Sequence, residues 1–210
     1  MPRTELERRS YSFEVRAEQG ESGDIITGRP IVYNSRTNLG FFDEVIEAGA
    51  LDSADLTDVR FLVNHDVSKI PLARSRRNNG NSTMKLTPDA SGLNIVVRLD
   101  TENNSEAKAL YSAVQRGDIT GMSFMFSVDS EEWDDLESDH PLRRVKKIKS
   151  VVEVSACTFP AYESTEITAR SKEALESARS ALESARQQDA KSLESEIELL
   201  KEKAKILGGS

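Results

Sequence analysis

A single cysteine, Cys157, stands among 210 residues. That excludes an internal disulfide and a four-cysteine zinc site, and it suits a reducing, cytosolic compartment. Histidine is nearly as sparse, with only His65 and His140. No apolar run approaches the roughly 18 residues that suggest a membrane span. The opening MPRTELERRSYSF lacks the apolar segment of a secretory signal, so the protein is expected to stay in the cell that makes it. An excess of basic charge is missing as well. The formal net charge is -8 and the isoelectric point about 5.0, which gives no general attraction to nucleic acid or anionic lipid. What remains is a chain with 37% hydrophobic residues, enough for a packed core. Its 30% charged residues and mean hydropathy of -0.51 indicate an extensive solvated surface.

Residues 11–17, YSFEVRA, alternate so that Tyr11, Phe13, Val15 and Ala17 share one face of a strand. Residues 25–33 read as a second strand region broken at Gly28 and Pro30, and 41–46 as a third, followed by a short turn or helix at GALDSADL. Residues 59–63 are apolar and lead directly into Asn64-His65-Asp66. Two alternating runs within 84–99 flank PDASG, good turn chemistry that predicts a hairpin. Residues 104–116 predict a helix, with Asn104 or Ser105 to cap it, Gly117 to end it, and Ala107, Leu110, Tyr111 and Val114 on one face. Residues 121–128 predict a strand. An acidic stretch (129–139) and a basic one (143–149) follow, and then a last strand over 151–159 closed by Pro160.

From Ser171 the character changes. Aromatic residues and proline disappear, and glycine occurs only at 208 and 209. ALESARS is followed directly by ALESARQ. Leu175, Ala178, Leu182 and Ala185 share one heptad register, and Leu193, Ile197, Leu200, Ala204 and Leu207 a second, shifted one. The expected fold is mainly β with peripheral helices (α+β). Residues 1–168 would form a β-barrel or sandwich domain and 169–210 an amphipathic helical tail.

Three polar positions interrupt apolar strands. His65 stands where a strand emerges, suited to a site or to capping local backbone. Ser123 is a small hydroxyl inside GMSFMF, either a nucleophile on a rigid strand or a group bonded to backbone. Glu153 lies in VVEVSAC, where Glu153, Ser155 and Cys157 share one strand face. Histidine, serine and carboxylate together are what acyl transfer needs: a base, a nucleophile and a group that orients the base. The carboxylates of EEWDD look like a cation cluster, but such runs are more often solvated loops.

The segments FFDEVIEAGAL, FLVNHDVSKIPLARS, GMSFMFSV and VVEVSACTFPAYESTEI, in that order over roughly residues 10–170, resemble the prohead (capsid-maturation) serine proteases of tailed phages. The resemblance implies a β-barrel ringed by helices, related to the herpesvirus assembly proteases. It implies His65 as general base, Ser123 as nucleophile and Glu153 as third member. Asp66, Ser155 and Glu163 stand as alternatives for that third role. No metal or cofactor is implied. The expected activity is endopeptidase cleavage of the scaffolding protein or of a scaffolding segment of the major capsid protein, and of the chain itself. The setting would be the immature capsid in the host cytoplasm. The tail would bind scaffold or capsid helices or self-associate. The competing expectation is a non-catalytic capsid assembly or scaffold protein with a helical oligomerisation tail.

Overall fold

A computed structural model describes residues 6–11, 15–20, 23–158 and 165–207. The strands are β1 (Glu7–Tyr11), β2 (Val15–Gly20), β3 (Gly23–Val32), β4 (Thr37–Asn38), β5 (Asp43–Ile46), β6 (Arg60–Val63), β7 (Ala73–Arg74), β8 (Met84–Asp89), β9 (Gly92–Arg98), β10 (Gly121–Asp134) and β11 (Leu142–Cys157). The helices are α1 (Ser105–Arg116) and α2 (Thr165–Leu207), with a single 3-10 turn at Arg76–Asn78.

The 16-residue β11 is the spine of a seven-stranded sheet. On one side it pairs antiparallel with β10, which carries β1 on its far edge. On the other side β5 runs parallel to its first residues, Leu142–Val145, and β6 parallel to Glu153–Ala156. The second sheet is antiparallel, in the order β2-β3-β9-β8. Phe61, Phe124, Phe126 and Val154 of the first sheet pack with Ile26, Ile31, Leu93 and Ile95 of the second in one core, joined by Leu110 and Val114 of α1. The mainly β expectation and the terminal helix are therefore realised. The barrel takes the form of two facing sheets, with no ladder among the described residues closing one onto the other. Two of its strands, β4 and β7, are two residues long and offer too few backbone groups to zip onto a neighbouring sheet.

Local expectations hold where turn and cap chemistry is strong. Asn104 caps α1, its side chain accepting from the amides of Glu106 and Ala107, and Gly117 ends the helix at φ 78°. Gly92 closes the β8–β9 hairpin at φ 144°, where a Cβ would lie 1.9 Å from the Ile31 carbonyl oxygen. Two expectations change. In place of a single strand over 11–17, Tyr11 ends β1 and Val15 begins β2, in different sheets, and Phe13 lies outside the described residues. β1 includes charged Glu7, Arg8 and Arg9, which hid its strand character. The basic stretch and the first part of the acidic one, 129–134, lie inside strands, forming the distal half of the β10–β11 hairpin, and 135–139 make its turn.

That half is held by charge. Arg9 and Arg143 lie almost fully buried with Glu44, and Glu7 and Glu131 complete the network. Arg143 also lies 5.9 Å from the Trp133 ring centre. Arg144 pairs with Asp134, and Lys146 with Glu132 and Glu47.

Candidate active site

Strand alternation puts Phe124, Val154 and Ala156 on the core face of the first sheet, and Ser123, Glu153, Ser155 and Cys157 on the other. In the β10–β11 ladder Ser123 stands opposite Ser155, and Glu153 opposite Met125. Ser123 and Glu153 are thus diagonal neighbours, a relation that separates backbones by about 7–8 Å. An imidazole with hydrogen bonds at both nitrogens spans that gap.

His65 supplies it. β6 ends at Val63, and both Asn64 (φ 51°) and His65 (φ 59°) adopt left-handed backbone, a region in which Asn and His are enriched among non-glycine residues. The turn is pinned to the end of β11. Asn64 N–H donates to the Ala156 carbonyl (2.9 Å), and the Asn64 side chain accepts from Thr158 N–H (3.0 Å) and donates to its hydroxyl (3.1 Å). His65 N–H donates to Ser155 Oγ at 3.1 Å. The ring folds back so that Nδ1 meets the Glu153 carboxylate and Nε2 lies 2.6 Å from Ser123 Oγ. Ser155 Oγ donates to the second Glu153 oxygen at 2.6 Å. Ser123 and Ser155 are fully buried, Glu153 is 2% exposed, and 13% of the His65 side chain is exposed.

Ser123 Oγ also reaches the Arg9 carbonyl oxygen, across the β1–β10 ladder, at 2.7 Å. A serine hydroxyl has one proton, so it serves either that carbonyl or His65 Nε2. Only the second arrangement makes a nucleophile. Cys157, beside this group, is an inert thiol: burial, and then the charge of Glu153, push it up to about 12.

All three residues expected at the site, His65, Ser123 and Glu153, are brought together. Of the alternatives for the third role, Asp66 is exposed and accepts from Ser68, while Ser155 contacts Glu153 rather than the imidazole. Glu163 lies outside the described residues. His140 is far along the hairpin and bonds Asp43 at 2.9 Å. Arg143 and Arg144 are engaged with carboxylates of the distal hairpin. The Asn64–Thr158 clamp and the Arg9 carbonyl were missed by sequence reasoning. The polar, left-handed-tolerant pair Asn64-His65 after a strand was the available signal for the first.

Residues 11–179 match the family model described as caudovirus prohead serine protease. The chain belongs to this family. Among curated members, the prohead protease of Enterobacteria phage HK97 is 30% identical over 164 residues, covering 76% of this chain and 66% of that protein. The chain therefore spans about two thirds of that relative's length. Among solved structures, the bacteriophage T4 capsid assembly protease aligns with 72% of this chain and 98% of its own at 12% identity, with a TM-score of 0.37. Among the described residues, Ser123 is the serine whose hydroxyl meets the His65 ring.

Proposed function

We propose that this chain is a serine endopeptidase of phage capsid maturation in which Ser123 is the nucleophile, His65 the general base and acid, and Glu153 the group that orients His65. The observation that carries the reading is the continuous line Glu153–His65–Ser123 on the polar face of two paired strands, inside a chain of this family. As Ser123 Oγ bonds to the scissile carbonyl carbon, its proton passes to His65 Nε2. The C–N bond then breaks as Nε2 returns that proton to the leaving amine. Water, deprotonated by the same nitrogen, releases the acyl group. Glu153 receives Nδ1–H throughout and stabilises the imidazolium between steps. The reaction needs neither metal nor cofactor. Because Ser123 is fully buried and bonded to β1, substrate entry requires neighbouring segments to move.

The substrates on this reading are the scaffolding protein or a scaffolding segment of the major capsid protein, and the chain itself. The place is the immature capsid inside the host cell. The far part of the helical tail, with Leu193, Ile197, Leu199 and Leu200 exposed, offers an apolar surface to scaffold helices or to a second copy. The same exposed leucines favour a second reading, a non-catalytic assembly protein. That reading gives no reason for a histidine in left-handed backbone to bridge a buried serine and a buried carboxylate.

Intact-mass spectrometry of wild type and Ser123→Ala over a day at neutral pH, with and without capsid or scaffold protein, tests the proposal. Cleavage in wild type only is the expected result. The same fragments from both proteins would remove Ser123 from the mechanism, and no cleavage in either would favour the assembly reading.

A further inference from the structure

We infer that Ser155 is a positioning residue for the His65–Glu153 pair, closing a ring of hydrogen bonds that begins and ends on His65. The inference rests on the triad proposed above and extends it by a fourth side chain. Its direction follows from donor chemistry. The backbone N–H of His65 can only donate, so Ser155 Oγ accepts there with a lone pair (3.1 Å) and keeps its own proton. That proton goes to one Glu153 oxygen at 2.6 Å. The other Glu153 oxygen meets His65 Nδ1. The ring is His65 N–H to Ser155, Ser155 to Glu153, and Glu153 back to the His65 imidazole. Its closure keeps a proton on Nδ1, so that in the neutral imidazole Nε2 carries the lone pair and faces Ser123 at 2.6 Å.

The same ring explains the backbone at this turn. With positive φ at His65, both its amide and its ring aim at β11, and the Ser155 hydroxyl gives that amide its acceptor. Ser155 is fully buried and Glu153 nearly so, so water does not replace the hydroxyl if it is removed. Glu153 would then have one oxygen without its donor and freedom to rotate, and the His65 amide would lose its acceptor. Networks of this kind behave as units.

The test uses the full chain as wild type, Ser155→Ala, Ser155→Cys and Ser123→Ala. Two readouts are taken: the rate of covalent labelling by a fluorophosphonate, located by peptide mass spectrometry, and the proton NMR signal of His65 Nδ1–H. Alanine removes one buried hydroxyl without adding volume, and cysteine keeps the size with a weaker donor. Labelling at Ser123 is expected to slow by about 10-fold to 100-fold in Ser155→Ala, with the Nδ1–H signal lost to solvent exchange, and Ser155→Cys is expected to fall between. Ser123→Ala is expected to abolish labelling yet keep the Nδ1–H signal, since Ser123 lies outside the ring. Unchanged labelling in Ser155→Ala overturns the inference and leaves the triad intact. So does a slower rate with the Nδ1–H signal undisturbed, because the hydroxyl would then act through packing alone. Unchanged labelling in Ser123→Ala sinks the triad itself.

Discussion

An imidazole that must touch a serine on one strand and a carboxylate on the next has to come from outside those two strands. Here it comes from the end of a third, β6, and the approach forces two successive non-glycine residues into left-handed backbone, each at a cost of order 1–3 kcal/mol. The Asn64–Thr158 clamp and the Ser155 contact offset that cost locally. The three residues stood out in sequence because each interrupts or ends an apolar strand where burial demands a partner, and their roles came from the family resemblance. The Ser155 ring was not, because it depends on backbone angles at His65 that no periodicity encodes. Cys157 gives a test of how closed this face is. With its thiol pushed up to about 12, roughly one molecule in 10⁴ is ionised at pH 8. Iodoacetamide at pH 8 is expected to leave the native protein unlabelled for hours and to alkylate it fully in urea. Equal rates in the two conditions would mean that the polar face of the hairpin stands open in solution.

At the scale of elements, the β10–β11 hairpin shows what sequence reading lost. Its acidic and basic runs look like solvated loops taken one at a time, and become a strand pair only when set against each other. Opposite-charge stretches of similar length flanking a turn were the available signal. β1 was hidden for a related reason: the charges of Glu7 and Arg9 face the interior, where Arg143 and Glu44 receive them. A buried ion network of this kind stabilises only while every member is charged. Burial alone would raise the Glu7 carboxyl, but the hydrogen bond from Arg143 and the charges of Arg9 and Arg143 outweigh it and lower it to about 2. A folded-state value below the unfolded one means that the unfolded chain takes up protons first as pH falls. The contribution of Glu7 is therefore whole above about pH 5 and fades toward pH 2, by on the order of 3 kcal/mol. Urea unfolding of wild type and Glu7→Gln should show the variant less stable at pH 6, with the gap narrowing steadily on acidification. A gap that is constant from pH 6 to pH 3 would place the Glu7 carboxylate outside the network.

For the whole molecule, the decisive feature is that one 43-residue helix, about 65 Å long, meets the sheets with only part of its length. Ser171 and Leu175 are buried, Arg179 donates to the carbonyls of Leu136 and Ser138, and Arg186 pairs with Glu137. These contacts tie the helix along the hairpin that carries Ser123 and Glu153. Past Arg186 the side chains described are exposed, including Leu193, Ile197, Leu199 and Leu200. The heptad shift between Ala185 and Leu193 falls where docking ends, so the two apolar registers read from sequence correspond to two different surroundings. Helical stability in proteins comes mostly from tertiary packing of an amphipathic face, and the side chains described past Arg186 contribute none. The projecting part should therefore open far more often than the docked part, and Lys191, Lys201, Lys203 and Lys205 sit within it. Brief trypsin digestion of Ser123→Ala, in which the self-cleavage proposed above would add nothing to the result, is expected to cut at these lysines before Arg179, Arg186 or any site in the sheets. It should leave a stable core ending near Lys191. On the tail-docking reading proposed above, added scaffold or capsid protein should slow those cuts at least several-fold by covering the exposed leucines. First cleavage at Arg179 or Arg186 would mean that the docked half is the weaker one, and that the tail detaches from the hairpin as a single unit.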